Sequence, residues 1–360
     1  MAAEGGEKHQ PTFQVEFKLY EMRKYLPYVI TLLIFCATIS SCKKSKPQNE
    51  DACPGFDLVP SSPYEDPVWH PSGNIIGFNH TPLKEIKYTY GYDCPRQAAY
   101  IYNPDSTGFW LVNADGTNKR RILPYKLQNP AWSPDGKWIA FVQGTQIFKM
   151  PFDGEKFDET AKVQLTFSGR NFFPAWSPDG EWIAFDNTDC GSVVTPPPEN
   201  SCGVLVLNIT NTEKKLITSG RMPDWFDNSS FIYLGLYNEV YKYNLSDSSK
   251  IQLTSFNTSN KYDYNIRYPE YSFDRSYIIL SLQNNVNGGN EIWIMNNQGG
   301  NLRKLTTDGS TGFSWSPDGR IVYVRFDYTR LDESRGVLWT MNSDGSNKKQ
   351  LTYNQFKITQ

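Results

Sequence analysis

The eleven residues AWSPDGKWIAF at 131–141 return almost unchanged as AWSPDGEWIAF at 175–185, 44 residues later. A period of that length marks a repeat architecture, in which one supersecondary unit cannot bury its own apolar face and must stack on copies of itself. Aligned on the aromatic residue before the turn, the other copies are VWHPSGNIIGF at Trp69, DWFDNSSFIYL at Trp225, EYSFDRSYIIL at Tyr271 and SWSPDGRIVYV at Trp315. With Trp132 and Trp176 the anchors are six, spaced by 63, 44, 49, 46 and 44 residues, and 45 residues follow the last. Each unit also has a second half, such as FWLVNADGTNKRRIL from Phe109, IWIMNNQGGNLRKLT from Ile292 and LWTMNSDGSNKKQLT from Leu338.

The chemistry of one unit predicts its fold. In Ser-Pro-Asp-Gly, proline sets φ for the first central position of a tight turn and glycine accepts the positive φ that follows. The flanking runs are β-branched and aromatic with near-alternation, as strands require, and Asn-x-Asp-Gly in the second half makes another turn. Four short strands per unit follow. Six such sheets around one axis make an all-β, six-bladed propeller of four-stranded antiparallel blades. The segment Phe56–Val59 is an alternative outer strand for a terminal blade, left open at this level.

Pro-x-Trp-Ser-Pro-Asp-Gly-x-x-Ile-Ala-Phe, followed by Ile-Trp-x-Met-Asn-x-x-Gly and Leu-Thr, resembles the WD-like propeller repeat of the TolB family, over roughly residues 64–353. TolB proper carries an α/β domain ahead of its propeller. Here residues 42–63 alone separate an export signal from the first blade, so the resemblance is to the propeller. It implies protein partners at the cell envelope, met at one end of the propeller channel.

Composition excludes several functions. With 36 basic and 38 acidic residues the formal charge is −2, and nothing asks for nucleic acid. Basic residues recur just after the second turn (Lys119–Arg121, Lys214–Lys215, Lys250, Arg303–Lys304, Lys348–Lys349), where charge protects an outer strand's free edge. There is no Gly-x-Ser-x-Gly elbow and no phosphate-cradling glycine loop. Of three histidines, His9 lies ahead of the signal, and His70 and His80 belong to one blade, where a structural role is expected over a metal site. Asp115, Asp135, Asp179, Asp318 and Asp344 sit in turns, where aspartate caps its own backbone. The reading is therefore non-catalytic, without cofactor or metal.

Function is then expected where the repeats differ. Insertions at 79–107, 186–203, 283–290 and 327–336 fall between second and third strands, on the face that also carries the connections between blades, and loops on a rigid scaffold carry function disproportionately. The first holds Tyr88, Tyr90, Tyr92, Tyr100 and Tyr102, which either form a recognition surface or cover the insertion itself. Connections entering the inner strands carry Arg170, Arg221 and Arg267, with Phe172, Phe173, Tyr262 and Tyr264 beside them. Converging guanidinium groups would suit a carboxylate from a protein partner, a peptide terminus or an acidic glycan. A glycan-binding or acidic-polysaccharide-processing component is the alternative function.

The address is read ahead of the blades. Met22-Arg-Lys-Tyr, an apolar run from Tyr28 to Ile39 and Ser-Ser-Cys42 describe a secretory signal too short to span a bilayer, and the small-small-Cys ending resembles a bacterial lipobox. Residues 1–21 are then expected to be an upstream extension, with translation beginning at Met22; 22–41 the signal; 42–63 an anchor linker; and 64–360 the propeller. Cys42 becomes the lipidated first residue of a chain on the periplasmic side or surface of the outer membrane, touching membrane through that lipid only. Cys36 leaves with the signal. Cys53, Cys94, Cys190 and Cys202 remain, an even number in an oxidising compartment. Of three pairings the expected one joins Cys190 to Cys202, around the loop GSVVTPPPENS, and Cys53 to Cys94. A thiol titration of the unreduced mature protein is expected to find none of these four cysteines free; several free thiols would remove both bridges.

Overall fold

The computed structural model describes residues 62–89, 97–189, 202–257, 264–284, 290–307, 309–326 and 336–359. They form six four-stranded antiparallel sheets, each built from one sequence unit, with the strands in chain order from inner to outer. The inner strands are Tyr64–Trp69, Gln128–Trp132, Asn171–Trp176, Arg221–Asp227, Tyr264–Tyr271 and Thr311–Trp315. The outer strands are short and carry the recurring basic residues: Arg120–Leu123, Lys214–Thr218, Lys250–Gln252, Arg303–Lys304 and Lys349–Gln350, with Val163–Gln164 in blade 2. Blade 6 supplies all four of its own strands, and Phe56–Val59 lies outside the described residues.

The turns form as their residues dictate. In Ser133-Pro-Asp-Gly136 the Gly136 amide donates to the Ser133 carbonyl at 2.9 Å, Asp135 accepts from the Ser133 hydroxyl and the Lys137 amide, and Gly136 has φ of 70°. A Cβ at Gly136 would also lie 2.5 Å from His70 Nε2 of the neighbouring blade, so that position is closed to other residues twice over. The Leu-Thr pair that ends four of the units ties the outer edge back to the sheet. Thr166, Thr254, Thr306 and Thr352 each accept, through the hydroxyl, the amide of Ile147, Val240, Ile292 or Leu338 on the third strand at 2.9–3.0 Å.

Apolar residues collect in six seams between successive blades. Phe109, Leu111, Trp132 and Phe141 fill the seam of blades 1 and 2; Val142, Trp176 and Phe185 that of 2 and 3; Val206, Trp225 and Phe231 that of 3 and 4. Leu234, Tyr271 and Leu280 fill that of 4 and 5, and Ile294, Trp315 and Tyr323 that of 5 and 6. Tyr64, Trp69, Phe78, Val322 and Leu338 join blade 6 to blade 1. At that last seam Trp69 N donates to Ser314 Oγ at 3.0 Å, Ser62 Oγ to the Gly336 carbonyl at 2.9 Å and the Tyr64 hydroxyl to the Tyr353 carbonyl at 3.1 Å.

The blade 1 insertion is folded. Its strands Leu83–Thr89 and Gln97–Tyr102 form a hairpin, and Lys357–Thr359, near the end of the chain, adds to it in parallel through Ile358 opposite Ile86. Leu83 and Ile86 are buried there under Tyr100, Tyr102 and Phe356. Of the two readings of the insertion's tyrosines, Tyr100 and Tyr102 follow the second and cover this small core. Tyr88 is paired to Ala98 through its backbone, and Tyr90 and Tyr92 lie outside the described residues.

Ser314→Ala would leave the Trp69 amide without its acceptor in the closing seam. A loss of about 1–3 kcal/mol of stability is expected, measured by urea unfolding; an unchanged midpoint would show that the seam does not depend on this bond.

Candidate functional site

The six inner strands surround the axis, and all six bend at one equivalent place. Asp66, Asn129, Phe173, Met222, Tyr268 and Gly312 have φ of 47–53°, and the pairing to the second strand shifts at each of them. In five blades the next residue is proline. For the five non-glycine residues this left-handed conformation costs about 1–2 kcal/mol each, a cost the packed seams offset. The result is a collar of side chains across the channel. Phe173 of blade 3 meets Tyr268 of blade 5 with ring centroids 5.7 Å apart, and the Tyr268 amide lies 3.4 Å from Met222 Sδ of blade 4. On the opposite side Asp66 Oδ2 accepts from Asn79 Nδ2 at 3.0 Å, and burial pushes the Asp66 carboxyl up to about 6.

A cavity of about 840 Å³ includes this collar and the anchor aromatics around it, among them Trp69, Trp132, Trp176, Tyr271 and Trp315. Three polar side chains on its wall stitch neighbouring blades: Asp224 Oδ2 accepts from Tyr271 N at 2.7 Å, Glu270 Oε1 from Trp315 N at 3.2 Å and Ser314 Oγ from Trp69 N. At the equivalent positions of blades 2 and 3 stand Ala131 and Ala175, and there the next blade's indole donates to the carbonyl instead, Trp176 Nε1 at 3.1 Å and Trp225 Nε1 at 3.0 Å. The indole N–H groups of Trp69, Trp132 and Trp315 have no hydrogen-bond partner among the described residues. Burial, with the Asp224 charge next to it, pushes Glu270 up to about 8; burial also raises Asp224, opposed by Arg275, whose Nη1 is 4.0 Å away.

One residue before each collar position comes the rim: Glu65, Gln128, Phe172, Arg221, Arg267 and Thr311. Two of the three expected arginines are therefore in register on adjacent blades. Arg221 Nη2 donates to Asn238 Oδ1, and Asn238 Nδ2 lies 2.7 Å from the Asn265 side-chain amide; with that amide assigned so that its oxygen faces Arg267, it accepts from Nη2 and Nε at 3.0 and 3.1 Å. Burial and the Arg267 charge both depress Arg221, so the two guanidinium groups feel each other. Glu65, across the rim, is paired with Lys126 at 2.7 Å; the ion pairs of the described residues include neither Arg221 nor Arg267. Arg170 stands outside the pair, exposed in the connection two residues ahead of the rim position that Phe172 holds, its amide on Asn187 Oδ1. The count from the anchor carries that offset: Arg170 stands six residues before Trp176, whereas Arg221 and Arg267 stand four before Trp225 and Tyr271.

The remaining expectations fall as follows. Phe172 packs at the seam of blades 2 and 3, and Tyr264 packs on Phe256 at 5.5 Å; Tyr262 lies outside the described residues. His70 is held by Ser72 and the Gly136 carbonyl. His80 is hydrogen-bonded to the Pro63 carbonyl while stacking on Tyr64, buried enough to bring its pKa down to about 3. Among the described residues no three His, Cys, Asp or Glu side chains come together to hold a metal. Cys202 is disulfide-bonded, and Cys42, Cys53, Cys94 and Cys190 lie outside the described residues. Reasoning from sequence missed Asp186, Asp224 and Glu270. For the last two the signal was present: an acid directly before the anchor aromatic, where the exact repeats carry alanine.

Residues 98–360 match the family model described as the TolB beta propeller domain. The protein Atu1656 of Agrobacterium fabrum, itself uncharacterised, is 25% identical over 251 residues, which are 65% of this chain and 80% of that protein. TolB from Acinetobacter baumannii superposes with a TM-score of 0.55 at 18% identity, over 82% of this chain and 67% of that one. A puromycin hydrolase gives 0.53 at 11% identity, over 82% and 55%. At such identities these structures speak for the fold alone.

The raised carboxyls give the pH dependence its sign. Glu270 keeps its proton in the folded state up to about 8, while in the unfolded chain it ionises near its ordinary value of 4.5. Between those limits the folded state holds more protons, so stability falls as pH rises through the window. Glu270→Gln retains the acceptor for Trp315 N and is expected to flatten the fall in melting temperature between about pH 5 and 8; a variant as steep as the parent would assign the slope to other groups.

Proposed function

Because this chain belongs to the TolB β-propeller family, we propose that it is a non-catalytic recognition propeller of the bacterial cell envelope, meeting a protein partner at the rim of its channel. The address comes from the sequence: a basic start, a short apolar core and Ser-Ser-Cys42 suit export and a lipid on Cys42, with the propeller on the periplasmic side or surface of the outer membrane. The disulfides Cys190–Cys202 and Cys53–Cys94 suit the same compartment.

The observation that carries the reading is the pair Arg221 and Arg267. They occupy the same register on adjacent blades, each is oriented by an asparagine, and neither is in an ion pair with a carboxylate of the described residues. Two neighbouring guanidinium groups repel one another, and an anionic group from outside relieves that repulsion while receiving planar, two-pronged hydrogen bonds. Beneath the pair the collar side chains Phe173, Met222 and Tyr268 pack on one another, which suits binding at the rim.

In-cell crosslinking followed by affinity capture tests this. One envelope protein is expected to be enriched by the parent and lost from the double variant Arg221→Ala, Arg267→Ala, with Arg170→Ala retaining it. If no protein is enriched by the parent, or the double variant captures it equally, the partner or its contact surface is assigned wrongly; retention of acidic oligosaccharides by the parent would then support the glycan reading.

A further inference from the structure

The rim beside Arg221 holds a second, unmatched group. Asp186 lies on the second strand of blade 3, directly opposite the rim residue Phe172, and two residues on from Ala184, which packs in the seam of blades 3 and 4. Its side chain is buried at 2% exposure and its Oδ1 has no hydrogen-bond partner among the described residues. Buried carboxyl oxygens are nearly always bonded; burial pushes this carboxyl up to about 7, and the charge that opposes the rise is Arg221, whose guanidinium is bonded to Asn238 instead. The blade 3–4–5 side of the rim therefore offers two cationic forks and, next to one of them, an acceptor in want of a donor.

A ligand that satisfies both carries a carboxylate with an N–H or O–H fixed close to it. The floor adds a constraint. Directly below, the collar side chains Phe173, Met222 and Tyr268 pack on one another and stand in the way of a chain passing on through this side. An extended peptide ending at the rim meets both demands: its terminal carboxylate faces the guanidinium groups and its last backbone N–H is held one residue-length from that carboxylate. Resting on the recognition function proposed above, we propose that Arg221, Arg267 and Asp186 form a receptor for the free C-terminal carboxylate of a partner protein, the arginines taking the carboxylate and Asp186 the terminal amide N–H.

The probe is a library of N-acetylated octapeptides with the last four positions randomised, prepared once as free acids and once as C-terminal amides, and passed over the immobilised mature protein. Free acids are expected to be retained at least about tenfold over amides, as loss of a charge-assisted contact implies. The preference should vanish in Arg221→Ala and in Arg267→Ala at unchanged melting temperature. Asp186→Leu, which replaces an unmatched buried carboxyl by an apolar group, is expected to melt no lower than the parent and to bind the free acids more weakly while still preferring them to amides. Equal retention of acids and amides, retention of neither, or retention of an oligogalacturonate in their place would each overturn the proposal. If either peptide result fails while the crosslinked partner is still captured through Arg221 and Arg267, recognition stands and the C-terminal carboxylate alone is refuted.

Discussion

Everything in this structure depends on closing the ring. Each four-stranded sheet has apolar residues on both faces, and an isolated one would leave both in water, so no blade is stable until it has a neighbour on each side. Six seams provide those neighbours. The sixth, between Thr311–Arg325 and Tyr64–His80, must form between segments far apart in the chain, at the greatest loop-closure cost. It is also where the hydrogen bonds from Ser62, Tyr64 and Trp69 gather, and where the end of the chain runs on to add its last strand to the blade 1 hairpin. Both ends of the propeller are thus tied at the place where a ring of identical units would come apart.

Closure dictates the shape of the channel. Six inner strands brought around one axis must bend, and they do so by a bulge whose central residue is left-handed and whose follower is proline in five of six blades. The bend places one side chain from each of five blades into the collar, Gly312 holding the sixth position, and the repeats are free to vary there because the backbone, not the side chain, makes the turn. Asp66, Asn129, Phe173, Met222 and Tyr268 share a conformation and almost nothing else. The same logic holds one residue earlier, at the rim, where Glu65 is neutralised by Lys126 while Arg221 and Arg267 stand together. A symmetric scaffold carries an asymmetric surface, and recognition belongs to the asymmetry.

Much of the scaffold was legible because its causes are local. Ser-Pro-Asp-Gly closes a turn through its own hydroxyl, carboxylate and glycine, whatever lies around it, and the six anchors could be counted in the sequence and then found in six blades. The Asn-x-Asp-Gly turns and the threonine after each outer leucine are equally local. The site was legible only in part. Arg221 and Arg267 were found by their distance from the anchor, four residues in each case, and Arg170, gathered with them at six, stands off the rim for that reason. The tyrosine-rich insertion gave no sign of being a hairpin, since Phe356, which packs on its core, and the strand Lys357–Thr359, which extends it, lie at the other end of the chain.

By itself, then, the sequence determined the number of blades, the strands and turns of each, and the residues able to face the axis, because tight turns and strand alternation depend on neighbours within a few positions. Tertiary structure alone decided which of those residues meet. The pairing of Asp224 and Glu270 with the amides of the next blade, the burial that raises their pKa values, and the neighbourhood of Arg221, Arg267 and Asp186 all arise between blades. There, proximity is set by how sheets pack around the axis and not by how far apart residues stand in the chain.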